Sequence, residues 1–336
     1  MARTPPIPET ILVAPDSFKG TFSAREVSLA IGRGLERAGR AVDRCPVADG
    51  GEGTLEVLRE ALGGELIGAT VEDPLGREVD AAFGLLRDER SGRVVAIVET
   101  ASASGLTLVD QRERDAIVAS TYGTGQLIAA AVAAGAELVY LGVGGSATTD
   151  GAAGALRAIR RSGGLGEARL VVLCDVRTPF EEAARVYGPQ KGAGPDEVKR
   201  LSRRLSELAR RLPRDPRGVP MTGAAGGLAG GLWAELGAEL VPGAAFVLEL
   251  LDFDLRMRSA HAVVTGEGRL DRQSLAGKAV SEVATRCRQS GVPCHAVTGE
   301  RAMDTFDQRI LDLQAVLEAQ TVRGMTSAGR RLAELV

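Results

Sequence analysis

Histidine and cysteine are scarce in this chain. Its 336 residues hold two histidines, His261 and His295, and four cysteines, Cys45, Cys174, Cys287 and Cys294. With no close CxxC pair and so few imidazoles, a structural zinc site is not expected, and the thiols read as cytosolic rather than as a disulfide framework. An excess of one charge is also missing. Lys and Arg number 41 against 44 Asp and Glu, a net charge of −3, which argues against a nucleic-acid or membrane-surface binder and leaves small anions open. No apolar run approaches the roughly 18 to 20 residues of a membrane span. No apolar signal core follows Met1 in the polar, Pro-rich MARTPPIPET, so the expected location is the cytoplasm. Repeats with a period of roughly 20 to 50 residues are absent, which excludes a solenoid.

What is present suits a globular protein with a sizeable core: 44% of residues are hydrophobic and 25% charged. The length suggests two lobes at about 150 residues each. Glycine stands out, with 43 residues where about 7% is usual, and implies many tight turns or ligand-cradling loops. Strand and helix signals alternate. The apolar run Ile11–Ala14 ends at Pro15, and Ser23-Ala-Arg-Glu26 has capping-box spacing before Val27, Ile31 and Leu35. The loop Asp16-Ser-Phe-Lys19-Gly20 therefore lies between a strand's carboxyl end and a helix's amino end, where open α/β sheets bind ligands. Pro46 to Thr54 leads into a second helix through Leu55, Leu58 and Leu62, stopped by Gly63-Gly64. From Glu65 to Glu99 the texture is that of locally paired antiparallel strands. Further on, βα units return, with strands at Leu138–Leu141 and Leu170–Leu173 and a long amphipathic helix opened by Gly194-Pro195-Asp196. The Gly/Ala-rich run 223–231 reads as close helix packing or a ligand loop. Ala262–Val264 and Cys294–Val297 read as strands that rejoin the first sheet, with Thr265–Asp271 as a loop and a helix from Gly277 to Arg288. The middle of the chain then becomes an insertion.

The most informative stretch is Leu141-Gly-Val-Gly144-Gly145-Ser146-Ala147-Thr148-Thr149-Asp150-Gly151. Its glycines let the backbone approach a ligand, and its hydroxyls and amides at a helix start offer donors to a phosphate. A tight turn with Asp150 as helix cap accounts for the same residues. Gly142, Gly144 and Ala147 also fit the dinucleotide pattern GxGxxA, but the acidic partner expected about 20 residues on is poorly placed in Glu167 or Asp175. Neither GxxxxGK[ST] nor GxSxG occurs, so a Walker loop and a serine-hydrolase elbow are both absent. The glycine loops share carboxylates, Asp16, Asp49, Glu52, Asp150, Asp175, Glu267 and Asp271, accompanied by Lys19, Lys191 and Lys278. Carboxylates can hold Mg²⁺ or take a hydroxyl proton and lysines can neutralise phosphate oxygens, which are the parts phosphoryl transfer needs.

Taken as ordered blocks, these residues resemble the bacterial glycerate kinase family, whose members phosphorylate D-glycerate with ATP, commonly at the 2-hydroxyl. The blocks are Ala14-Pro-Asp-Ser-Phe-Lys-Gly20, Ala48-Asp-Gly-Gly-Glu-Gly-Thr54, Gly123-Thr-Gly125, Gly144-Gly-Ser-Ala-Thr148 with Asp150-Gly151, Cys174-Asp-Val176, Gly188-Pro-Gln-Lys-Gly-Ala193, Gly223-Ala-Ala-Gly-Gly227, and Thr265-Gly-Glu-Gly-Arg-Leu-Asp271 with Gln273 and Gly277-Lys278. Gln126, Ala152 and Thr178 stand where the family commonly has Glu, Gly and Asn. The stretch between Gly151 and Leu170 is shorter than usual, and the tail beyond Thr298 is compressed.

The resemblance implies two α/β lobes with the active site between them. One is a flavodoxin-like parallel sheet, discontinuous over 1–63 and 245–336, and the other an inserted mixed-sheet lobe over 64–244 resembling the restriction-endonuclease core. It implies ATP and Mg²⁺ as cofactors, glycerate as the small-molecule partner, no nucleic acid or membrane, and a monomer or homodimer. The candidate catalytic residues are Asp16, Lys19, Asp150 and Lys191, with Asp16 or Asp150 as the proton acceptor. Gly144, Gly145, Ser146, Thr148, Thr149, Asp175 and Lys278 are candidates for substrate or phosphate, and Asp49, Glu52, Glu267 and Asp271 for the metal. A dinucleotide-dependent oxidoreductase and a catalytically weakened glycerate- or nucleotide-binding homologue are the alternatives.

Overall fold

A computed structural model describes residues 10–89, 91–275 and 278–336. The Pro-rich start of the chain and Gly277 lie outside the described residues. Among the described residues eleven strands follow in chain order: β1 (Thr10–Pro15), β2 (Ala41–Arg44), β3 (Glu65–Glu72), β4 (Glu78–Arg87), β5 (Val94–Glu99), β6 (Leu138–Gly142), β7 (Arg169–Cys174), β8 (Glu239–Pro242), β9 (Ala262–Leu270), β10 (Cys294–Arg301) and β11 (Leu313–Glu318). They form two sheets in two compact units, the first ending at Asp49 and resuming at Ala244, the second spanning Gly50–Gly243.

The first unit is a five-stranded sheet in the order β11-β10-β9-β1-β2, with every pair parallel. Numbering this unit's strands on their own gives 2-1-3-4-5, the flavodoxin-like order, whose direction of winding reverses between β1 and β9. The apolar run of β1 is buried along its length because helices cover the sheet. The helix Ala24–Arg37 starts with the capping box that its sequence predicts. The Ser23 hydroxyl accepts from the Glu26 amide at 3.3 Å, and the Glu26 carboxylate accepts from the Ser23 amide at 2.9 Å. Its buried face, Val27, Ile31 and Leu35, shares a core with Ile11, Val13, Val264, Val297 and Met325.

One strand is longer than its apolar residues suggest. The expected loop 265–271 is strand as far as Leu270, because β9 keeps pairing with β10 out to Leu270 opposite Arg301 after β1 has stopped at Pro15. Ladder hydrogen bonds need no apolar side chain, so glycines and charges hide such an extension from pattern reading. The overhang places Glu267 beyond the end of β1, at the switch point.

The second unit is a six-stranded sheet ordered β3-β4-β5-β6-β7-β8, antiparallel for its first two pairings and parallel for the rest. The expected boundary after Gly63 moves to Asp49/Gly50. The helix Thr54–Leu62 packs on β4 and β5, and so belongs with the insertion. The glycine run 223–231 enters a helix, Ala224–Leu236, after left-handed turns at Ala225, Gly226 and Gly227, and the Gly226 carbonyl accepts from the Gly151 amide at 3.1 Å. Close packing, one of the two expectations for this run, is thus realised. All four cysteines are buried and free. Among the described residues no helix is long and apolar enough to cross a membrane.

Candidate active site

In the first unit the chain leaves β1 at Pro15 and turns at once. The Asp16 amide donates to the Gly266 carbonyl at 2.8 Å, while Phe18 and Phe22 exchange backbone hydrogen bonds of 2.8 and 3.0 Å that project Lys19 from the turn between them. A cleft of about 520 Å³ opens there, lined by Asp16, Lys19, Asp49, Glu267, Asp271 and Lys278 among others. Six of the expected site residues therefore share one cavity at the place where doubly wound sheets bind ligands.

Asp16 is 5% exposed and accepts from the Ser17 amide at 2.6 Å. Burial, reinforced by the charge of Asp49 and opposed by Lys19, raises its pKa from 3.8 to about 8. Lys19 pairs with Asp49 at 3.3 Å, and that carboxylate holds the lysine above its ordinary value. Glu267 is also raised, first by burial, with the Ser274 hydroxyl and Lys278 opposing. One of its oxygens, Oε1, is buried without a hydrogen-bond partner among the described residues.

Of the four carboxylates expected for the metal, Asp49, Glu267 and Asp271 line the first-unit cleft. Asp271 pairs with Arg269 at 3.5 Å, Glu52 belongs to the second unit, and among the described residues no three His, Cys, Asp or Glu side chains could hold a metal ion together. The charge of Asp49 reaches Glu267 across the cleft.

In the second unit the loop that leaves β6 is held from behind by Lys191, 3% exposed. Its ammonium donates to the Ser146 hydroxyl at 2.9 Å and to the Thr148 carbonyl. Burial lowers its pKa to about 7, and Asp150 opposes this. The hydroxyls of Thr148 and Thr149 are buried without a partner among the described residues. Asp150 is fully engaged. It accepts from the amides of Thr121 (2.9 Å), Gly154 (3.0 Å) and Ala152 (3.3 Å) and from the Thr121 hydroxyl, so it fastens the start of the helix Ala153–Arg161. Asp150 thus holds the helix start from two residues before its N-cap, Ala152. Asp175 follows the end of β7, partly buried.

The glycines of the GxGxxA match serve the chain itself. A Cβ on Gly142 would meet the Gly50 carbonyl oxygen at 2.7 Å, and one on Gly144 would meet the Gly51 Cα at 2.5 Å. The space a pyrophosphate would need against these two glycines is filled by backbone, which removes the basis of the dinucleotide reading.

Sequence reasoning missed Glu99 at the end of β5, whose carboxylate accepts from the Leu55 amide at 2.8 Å and faces the amides of Gly53 and Thr54. Burial raises it to about 7. The signal was available: an acid closing the apolar run Val94-Val-Ala-Ile-Val98 repeats the pattern that singles out Asp16 after Ile11–Ala14. Thr121, which steadies Asp150, carried no signal.

A flavodoxin-like unit with an acid-and-lysine cleft at its switch point, joined to a mixed-sheet unit with a glycine-hydroxyl loop, describes a two-unit α/β enzyme scaffold. The family model "Glycerate kinase family" matches residues 11–163 and 159–333. The curated glycerate kinase of Bacillus subtilis is 39% identical over 332 residues, covering 88% of this chain and 86% of the relative. The glycerate 2-kinase of Escherichia coli is 36% identical over 331 residues, with the same coverage. A solved structure from Salmonella typhimurium LT2, described as a glycerate kinase 2, superposes with a TM-score of 0.82 at 32% identity and covers 98% of each chain. This chain belongs to the glycerate kinase family. The two stretches of the family match overlap over residues 159–163, at the end of the helix Ala153–Arg161.

Proposed function

We propose that the protein transfers the γ-phosphoryl group of ATP to D-glycerate, at the 2-hydroxyl, with Asp16 as the proton acceptor. The observation that carries this reading is the first-unit cleft: a buried carboxylate with a pKa of about 8, beside the Lys19–Asp49 pair and in one cavity with Lys278. A base poised near working pH accepts the hydroxyl proton as the oxygen attacks phosphorus. The new O–P bond forms, the bond from the γ-phosphorus to the β,γ-bridging oxygen breaks, and ADP leaves with the electron pair. Lys19 and Lys278 offer their charge to the substrate carboxylate and the transferring phosphoryl oxygens. The loop Gly144–Thr149 offers amides and hydroxyls to the nucleotide phosphates, with Lys191 as its rear support.

Mg²⁺ takes only one or two carboxylates from a protein when phosphates complete its shell. Asp49 and Glu267, the latter with a buried oxygen that has no partner among the described residues, fit that requirement. Bound there, the ion would supply charge neutralisation to the phosphate oxygens.

A coupled assay for ADP release with ATP, Mg²⁺ and D-glycerate tests the reading, and phosphorus NMR of the product distinguishes the 2-phosphate from the 3-phosphate. No turnover from folded protein that still binds glycerate or ATP would select a silent homologue instead.

A further inference from the structure

We infer that Glu99 is a positioning residue for the phosphate loop of the second unit, acting by closing the amino end of the helix Thr54–Leu62. The inference rests on the nucleotide-phosphate role proposed above for the loop Gly144–Thr149. That helix begins from Gly53 in a left-handed conformation, with no side chain of its own segment capping it. A helix start leaves amides without partners, and here the missing acceptor arrives from another strand. Glu99, 8% exposed, accepts from the Leu55 amide at 2.8 Å and faces those of Gly53 and Thr54.

The cap fixes more than a helix end. Gly50 and Gly51, in the turn that enters the helix, lie against Gly142 and Gly144 so closely that neither position admits a side chain. Glu99 itself is the register partner of Gly142 across the parallel β5–β6 pair, and the next residue, Thr100, donates its amide to the Gly142 carbonyl at 2.8 Å. Glu99 thus ties three backbone segments at the root of the loop: its carboxylate holds the helix entry to the end of β5, and the backbone ladder holds β5 to the end of β6. Releasing it frees the turn to move away from Gly142–Gly144, and the loop loses the surface it rests on. A displacement of about 1 Å in a positioning element can cost on the order of 100-fold in rate.

The test compares wild type with Glu99→Gln and Glu99→Ala in the full chain. Hydrogen exchange, read without substrate, is expected to accelerate at the amides of Gly53, Thr54 and Leu55, more in Glu99→Ala than in Glu99→Gln, which keeps one acceptor oxygen. Kinetics at a temperature well below either variant's Tm are expected to show kcat/KM for ATP reduced by about 10- to 100-fold, with KM for glycerate unchanged. Unchanged exchange at those three amides would overturn the inference, as would kcat/KM at the wild-type value from folded variant, since a merely structural role lowers Tm and leaves turnover intact. Absence of turnover in the wild type would count against the kinase reading and with it the phosphate role on which the inference rests. The exchange arm would still decide whether Glu99 holds the turn.

Discussion

In the cleft of the first unit the working groups carry charge and line an open cavity. In the loop of the second they are accessible glycines, with hydroxyls and one lysine shut away from water. The contrast shows in how each place is held. Asp16, Lys19 and Asp49 lie in loops, Glu267 within β9 and Lys278 at the start of the helix Ala279–Ser290, and their charges act on one another: burial and then Asp49 push Asp16 up while Lys19 opposes. The loop Gly144–Thr149 takes its shape from glycine on glycine at Gly144 and Gly51 and from a single buried lysine bonded to the Ser146 hydroxyl and the Thr148 carbonyl. Electrostatics defines the first place and shape the second, so a change that alters only charge should be severe in one and mild in the other.

The largest effect is expected from Asp16→Asn. The amide keeps the size of the side chain and an oxygen for the Ser17 amide but cannot accept a substrate proton, so kcat should fall by roughly 10²- to 10⁴-fold while the protein stays folded. In the wild type, kcat/KM for glycerate should rise with pH through about 8, as Asp16 ionises, and the variant should lack this limb. Stability should move the other way. The folded state holds on Asp16 a proton that the unfolded chain releases above 3.8, so stability contributed by this residue declines as pH rises toward about 8. Asp16→Asn should then raise Tm relative to wild type above that pH. A variant with near wild-type kcat would remove Asp16 from the chemistry and dissolve the contrast.

What could be read from the residues follows the same division. The capping box at Ser23 and Glu26, the stop at Gly63 and the apolar runs of β1, β6 and β7 mark their elements directly, because local chemistry decides them. Six of the cleft residues were legible for a related reason: an acid or lysine in a glycine turn after a buried strand has few structural uses. The extension of β9 to Leu270 was hidden, since pairing with β10 holds a glycine-and-charge sequence in strand geometry. The hold of Asp150 on Thr121, Ala152 and Gly154 was hidden because it depends in part on a residue 29 positions away. Gly142 and Gly144 looked like a cofactor motif because the backbone that fills their space comes from Gly50 and Gly51. Ala152, a departure from the family's glycine, adopts a left-handed φ of 74°, and Gly231 leaves room for its methyl: a Cβ there would lie 2.5 Å from it.

Gly144→Ala is the next test in size, now of shape. A methyl 2.5 Å from the Gly51 Cα must push the turn and the loop apart, and overpacking of this kind costs about 1 to 3 kcal/mol. For a unit of this size that is a fall in Tm of roughly 2 to 4 °C per kcal/mol. KM for ATP should rise while the pH limb near 8 stays in place, because no titrating group in the cleft has changed. Loss of that limb instead would show that the two places are electrostatically one.

The smallest effect is expected from Gln126→Glu, which introduces a charge into the second unit and restores the residue common in the family. The Gln126 Oε1 accepts from the Glu72 amide at 2.7 Å, and a carboxylate can accept the same hydrogen bond. Position 126 lies in the first half of the helix Tyr122–Ala133, where the helix dipole tolerates an anion. Stability should therefore stay within about 0.5 kcal/mol of wild type, and kcat and both KM values should be unchanged. Gln126→Ala, which leaves the amide of Glu72 without its acceptor, should cost about 1 kcal/mol. The pair isolates the variable that separates the two units. If adding the charge does nothing while deleting the acceptor destabilises, the second unit depends on hydrogen-bond geometry and packing. If Gln126→Glu shifts the pH profile or KM for ATP, charge there reaches the phosphate loop and the division between the units fails.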